Sequence, residues 1–307
     1  MNIVMLSKRN PDYLHDAIYL GMRNLGHTVQ TVPEKKSLQD PVDPDRVLRF
    51  GLPAQNVEGQ ADLLIICALY NDYMYEMEEY QRMLAYCYDT FNPKKVVIVD
   101  GADGRVDLPV LPRPYDAYFV RELLEGQNGP PALNMPFAAQ PEPFTMVPYA
   151  QKDVDFCFLG SYSGQPYRLD VMTALQGYAS TRGLRAHVSL DPVPRKSYLD
   201  IASRSKVVVS VRGYGWDCYR YWETPAKGLL MLTETMPIVF ENDYVDGVDC
   251  FKCRTGDTSH LLEKLTQALA ISPEQHAAMV IHALARNADF HTPERRAQLI
   301  LSKAGLL

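Results

Sequence analysis

The sequence predicts an α/β protein with two parallel sheets, on three observations. Short, continuously apolar runs alternate with amphipathic helical stretches along most of the chain, the pattern of strands covered on both faces by helices. Proline opens and glycine closes several of the helical stretches, as the backbone needs of helix ends dictate. A proline-rich segment without periodicity, 134–147, divides the series in two and reads as a hinge. The 307 residues, 47% hydrophobic and 22% charged, suit two domains with a core each, taken as 1–140 and 148–307.

The first half opens with a strand at 2–6, a polar loop, an amphipathic helix at 11–25 ended by Gly26, and a strand at 28–32. Further strands are expected at 62–68, 95–100 and 117–120, with a long helix at 73–88. In the second half, strands at 154–159, 186–190, 206–211, 229–233 and 248–252 alternate with helices at 166–182, 196–203, 217–227 and 258–270. Helices at 273–288 and 293–303 follow. Two open parallel sheets place a ligand crevice beyond the carboxyl ends of their strands. The loops that should hold a site therefore follow Leu6, Ala68, Val99, Leu159 and Val211.

Several function classes are disfavoured. The net charge of -6 gives no general attraction for a polyanion. The phosphate loop of an ATPase, the glycine fingerprint of a dinucleotide dehydrogenase and the nucleophile elbow of an α/β-hydrolase are all missing from the sequence. The first residues lack the order of a signal peptide, and no run is long and apolar enough for a membrane span. With Cys67 and Cys157 in apolar runs, a reduced, cytoplasmic protein is expected. Cys250 and Cys253 have metal-like spacing, but nothing nearby completes a zinc site, and they read as strand residues.

The most informative stretch is SVRGYGWDCYRYWETPAKGLLMLTE, 210–234. A buried strand runs into a loop with two glycines and then a helix on which Arg220 and Glu223 share a face. At the open end of a sheet, Arg220 can neutralise a diphosphate and Glu223 can accept from ribose hydroxyls. Equally, Glu223 and Lys227 are spaced for an ordinary helix ion pair, with Arg220 solvated.

The run Arg220–x–x–Glu223, Gly228, an apolar strand and Thr233–Glu234 resembles the donor-site segment of the group 1 glycosyltransferases, in particular the CgeB-like, spore-maturation type. FENDYVDGVDCFKCRTGDTSHLLEKLTQAL and FHTPERRAQLIL are similar to the later parts of that pattern, so the resemblance runs from Val154 onward. It implies a GT-B architecture of two Rossmann-like domains, a last helix that crosses back to the first domain, and a nucleotide sugar bound mostly by the second domain. It implies no tightly bound cofactor and no metal, with UDP, GDP or ADP as carrier. Glu223 takes the place of the ribose-binding glutamate, Arg220 and Arg212 become diphosphate candidates, and Gly160 and Ser161 match the loop near the phosphates. Two departures stand out. Gly215 occupies the position of a second glutamate found in many relatives, and Pro225 predicts a short or kinked helix.

Other candidates complete the expectation. Arg168, in the helix after the LGSYSG loop, could reach the phosphate site but reads first as a surface residue. Asp100 or Asp103, in VDGADG, could serve as general base on an acceptor hydroxyl, the pair could instead bind a cation or an acceptor sugar, or both could simply shape a turn. His15 titrates in the useful range, and Asp12 is an acceptor candidate or a helix cap. Tyr70 and Tyr73 are placed to meet an acceptor, and Tyr214, Trp216 and Tyr219 to stack on the donor; Thr233 closes the donor set. The acceptor is read as a carbohydrate or glycan, with a hydroxylated DNA base in a viral setting as the other option. A two-domain binding protein without chemistry, and a phosphorylase or epimerase, are the rival readings.

Overall fold

The computed structural model describes residues 1–7, 12–35, 51–67, 77–103, 111–126, 131–139, 141–142, 144–162, 165–239 and 241–307. The first sheet holds six strands: β1 (Asn2–Leu6), β2 (Thr28–Val32), β3 (Leu63–Ile66), β4 (Lys95–Asp100), β5 (Ala117–Val120) and the two-residue β6 (Leu133–Asn134). Their spatial order is β2-β1-β3-β4-β5-β6, and every pairing is parallel. The helices α1 (Tyr13–Asn24) and α2 (Met77–Phe91) accompany them. Alternation along β1 sends Ile3 and Met5 to the face covered by α1, and Val4 and Leu6 to the face covered by α2, as the two-residue period of a strand requires.

The second sheet holds β7 (Val154–Leu159), β8 (Ala186–Ser189), β9 (Ser205–Ser210), β10 (Met231–Glu234) and β11 (Phe251–Cys253), in the order β11-β10-β9-β7-β8 and again all parallel. Its helices are α3 (Pro166–Arg182), α4 (Arg195–Arg204), α5 (Tyr219–Ala226) and α6 (Thr258–Ala270). Gly183, with φ of 62°, closes α3 in the left-handed conformation. The helix α5 has only 8 residues and contains Pro225, in line with the expected short helix. Both sheets reverse their winding beside the first strand, at β1/β3 and at β7/β9. Ligand crevices open at such switch points.

Two helices follow, α7 (Pro273–Phe290) and α8 (Pro293–Lys303). As expected, α8 crosses back: Ala297, Ile300, Leu301 and Ala304 are buried in the same cluster as Leu14, Ile18 and Met22 of α1. Glycine at position 21 permits the crossing, because an added Cβ would overlap the Pro293 carbonyl and the Glu294 amide. Arg296 of α8 is buried and donates to the carbonyls of Pro136 (3.0 Å), Phe137 (2.9 Å) and Phe290 (3.0 Å), tying the linker down. Burial pushes its pKa down to about 10. Among the described residues no helix is long and apolar enough to cross a membrane.

Candidate functional site

A cleft of about 570 Å³ lies between the carboxyl ends of the two sheets. From the first domain it is lined by Asp12, Tyr13, Gly101, Asp103 and Arg121; from the second by Gly160, Ser161, Arg168, Arg195, Tyr214, Tyr219, Arg220 and Glu223.

Two guanidinium groups meet at its inner wall. Strand β7 ends at Leu159, and a Cβ added to Gly160 just beyond would lie 3.5 Å from Arg220 Nη2 and 3.7 Å from Arg168 Nη1. Arg220 stands in the first turn of α5 and donates through Nη2 to the Leu159 carbonyl. Its Nε and Nη1 are buried without a hydrogen-bond partner. Arg168, in the first turn of α3, is 4% exposed, so the surface position expected for it is wrong. It donates to the carbonyls of Arg212 (2.8 Å) and Ser161 (2.5 Å). Burial is the main influence pulling its pKa below the ordinary arginine value. Neither guanidinium has a carboxylate partner among the ion pairs of the described residues. Two buried cations held side by side, neither in an ion pair among the described residues although Glu223 lies near enough to favour the charged form of Arg220, make a site that an anion would complete.

Glu223, also on α5, is 2% exposed, and its Oε1 accepts from Arg195 of α4 rather than from Lys227. Lys227 instead pairs with Glu142 of the linker, Nζ to Oε2, at 2.9 Å. The simple helix ion pair is therefore not made.

The cleft floor is an interdomain polar cluster that sequence reasoning missed. Arg121, just past β5, donates to the carbonyls of Gly101 and Asp217, each at 2.9 Å, and to Asp103 Oδ1. Glu122 Oε1 accepts from the Asp217 amide at 2.8 Å. The Asp217 carboxylate accepts from Trp222 Nε1 (2.6 Å) and the Phe137 amide (3.0 Å). Gly215 lies against this cluster, since a Cβ there would overlap Glu122 and Asp103. Tyr13 stacks on Tyr219 across the domain boundary, with ring centroids 3.9 Å apart.

Several expected site residues are placed elsewhere. Asp100 is fully buried and does not line the cleft; it accepts from the Ala102 amide and the Tyr118 hydroxyl, each at 3.1 Å. It shapes the turn. His15 is also fully buried, packed behind Gly101 with Nε2 3.3 Å from where a Cβ would stand. Asp12 lines the cleft while capping α1, accepting from the amides of Leu14 (3.0 Å) and His15 (2.9 Å). Arg212 does not line the cleft: its guanidinium lies 4.6 Å from the Tyr167 ring and 4.5 Å from the Trp216 ring, facing Glu234. Trp216 does not line the cleft and carries the Arg212 guanidinium against its ring, whereas Tyr219 lines the cleft and stacks on Tyr13. Thr233 is 3% exposed within β10 and away from the cleft. Tyr214 is 73% exposed at the cleft mouth. Tyr70 and Tyr73 lie outside the described residues.

Burial pushes the Glu122 carboxyl from 4.5 up to about 7, against the pull of the Arg121 guanidinium. The folded state thus keeps this proton to higher pH than the unfolded chain does. The group costs stability progressively as pH rises from about 4.5 to about 7, by on the order of 2–3 kcal/mol. Glu122→Gln, measured against wild type by thermal melting at pH 5 and pH 8, should gain relative stability at pH 8. An equal difference at both pH values would show that Glu122 does not titrate in this window.

No protein-family model matches the chain, and no curated protein is similar to it in sequence. Solved structures do match it along its length. Sucrose-phosphate synthase from Thermosynechococcus elongatus is 11% identical, with 98% of each chain covered and a TM-score of 0.58. HepE of Anabaena, in complex with UDP and glucose, is 11% identical over 100% of both chains, with a TM-score of 0.58. AviGT4, a glycosyltransferase involved in avilamycin A biosynthesis, is 11% identical over 99% of this chain and 97% of its own, with a TM-score of 0.59. Two Rossmann-like domains with parallel sheets, facing each other across a cleft and braced by a returning last helix, give this chain the GT-B fold of those neighbours.

Proposed function

We propose that the chain is a glycosyltransferase that moves a sugar from a nucleotide sugar to an acceptor hydroxyl. The paired guanidiniums of Arg220 and Arg168, with Nε and Nη1 of Arg220 buried and unpartnered among the described residues, carry this reading. They lie beside the Gly160–Ser161 loop, where a diphosphate would sit, with Glu223 on the same helix face as Arg220 for the ribose hydroxyls. The HepE structure, which holds UDP and glucose on the same fold, supports UDP among the three carriers. In the transfer, the bond from the sugar's anomeric carbon to the diphosphate oxygen breaks, and its electron pair leaves with the diphosphate. Arg220 and Arg168 stabilise that charge, the role a metal ion plays elsewhere, so the reaction runs without one. The acceptor oxygen bonds to the anomeric carbon, and Asp103, which lines the first domain's side of the cleft, takes its proton. Asp12 lies on that same side and meets the acceptor.

The acceptor is a carbohydrate hydroxyl; a DNA acceptor would have to be gathered by a chain of net charge -6. UDP-glucose, GDP-mannose and ADP-glucose are the first donors to test by thermal shift. A true donor at about 100 times its Kd raises stability by about 2.7 kcal/mol, and Glu223→Ala responds less. Slow release of nucleoside diphosphate from the same donor separates an enzyme from a binding protein. If no nucleotide sugar shifts the wild type, the reading falls.

A further inference from the structure

We propose that Arg195 is a positioning residue for Glu223 and that Glu142, in the linker between the domains, holds Arg195 in turn. The proposal rests on the ribose role given above to Glu223, and it extends the donor site to two residues outside the helix that carries it.

Arg195 opens α4, and its side chain is 17% exposed. Its guanidinium binds Glu142 through both donors of one edge, Nε donating to Oε1 at 2.8 Å and Nη2 to Oε2. The same Nη2 also donates to Glu223 Oε1. Glu142 and Glu223 are each nearly buried, at 4% and 3% side-chain exposure. Lys227 completes the cluster on Glu142 and is itself 7% exposed. Two carboxylates and two cations make a neutral set, which is how charges persist away from water.

The division of labour within the set follows from geometry. Glu142 is bound by two cations, whereas Glu223 is bound by Arg195 alone among the described residues. Lys227 has the helical spacing to restrain Glu223 but is drawn off to the linker. The rotamer of Glu223 therefore depends on a residue of another helix. Because Arg195 takes Oε1, the Oε2 atom is left to accept from a neighbouring pair of ribose hydroxyls. A guanidinium clamped by a bidentate carboxylate has little freedom, so Glu142 transmits the placement of the linker to the ribose contact. Any shift of the linker as the domains close would alter how Glu223 meets a nucleotide.

The test compares UDP, ADP and GDP with their 2′,3′-dideoxy counterparts, in the full chain, by calorimetric titration. Wild type should prefer the ribose form by about 10- to 100-fold, the range for hydrogen bonds to a charged group. Glu223→Ala should lose that preference. Arg195→Ala should lose most of it while the dideoxy affinity stays near wild type, because the diphosphate contacts are untouched. Arg195→Lys and Glu142→Gln, which keep side-chain volume and carry the comparison if Arg195→Ala does not fold, should show intermediate preferences. A merely structural role lowers affinity for both forms and leaves their ratio unchanged. If Arg195→Ala and the two milder variants keep the full wild-type ratio while Glu223→Ala loses it, the positioning role is overturned and the ribose role stands. If Glu223→Ala keeps the ratio, or no diphosphate binds, the ribose role itself is wrong and this proposal goes with it.

Discussion

Arg220→Ala is expected to lower kcat/KM for a nucleotide sugar by about 10²–10³-fold, the loss typical when one donor to a developing anion is removed. The reason lies in the pairing at Gly160. Arg220 has two nitrogens, Nε and Nη1, whose N–H groups no atom of the described residues accepts, whereas the N–H groups of Arg168 serve the carbonyls of Ser161 and Arg212. Arg220 is thus the member of the pair with hydrogen-bonding capacity to spare for phosphate oxygens. Arg220→Lys, a point charge in place of a planar fork, should recover only part of the loss. Arg168→Ala should lower both activity and melting temperature, since it frees two carbonyls as well as removing a charge. Steady-state kinetics with the donor found by thermal shift checks the set. An Arg220→Ala enzyme within twofold of wild type would remove the diphosphate assignment.

The largest effect on stability is expected at Gly21. A valine there would drive its side chain into the backbone of α8 at Pro293 and Glu294, which cannot yield by turning a rotamer. Overpacking against a flexible neighbour costs about 1–3 kcal/mol; against backbone the cost should reach or exceed the top of that range. The melting temperature should fall by about 6–10 °C. The undocked helix would expose Ala297, Ile300 and Leu301 and open the chain to protease near Thr292, at the α8 cap. Limited proteolysis with mass analysis reads this directly, and a Gly21→Val chain as resistant as wild type would contradict the crossing described above.

The strands were legible where the chain writes them in unbroken apolar runs. Those at 2–6, 95–100, 117–120 and 154–159 stand where hydrophobicity placed them. The helices α3, α6 and α8 match because proline or a capping residue marks each start. The two-residue β6 carries too little pattern to be seen. The site was legible only in part. Arg220 and Glu223 were found because helical spacing puts them on one face, and Gly160 because it ends a strand. The weights on Arg168 and Arg212 are exchanged: for the first the sequence favours the surface over the phosphate site, and the second it makes a phosphate candidate. Which way a guanidinium turns depends on partners far off in sequence, here Tyr167 and Trp216 for Arg212. Asp100 at the end of β4 and His15 on α1 stand where expected, but burial, which local sequence does not report, closes both off, His15 behind Gly101. Arg121 was findable by the strand-end rule used for its neighbours, since it directly follows β5. Arg195 was not, because nothing in its local pattern distinguishes it from a solvated residue at a helix start.

The return of α8 imposes an order on synthesis. Asn24 and Glu294 are hydrogen-bonded across 270 residues, and Leu14, Ile18 and Met22 of α1 share one core cluster with Ala297, Ile300 and Leu301 of α8. At ribosomal speeds of about 5–20 residues per second, roughly 15–50 s separate the making of the two partners. For that interval the core around Leu14, Ile18 and Met22 waits for its α8 side chains, while every strand of the carboxyl-terminal sheet is made before α8 is. The half that is translated first is therefore the half that finishes folding last, and it is the one a holding chaperone would protect.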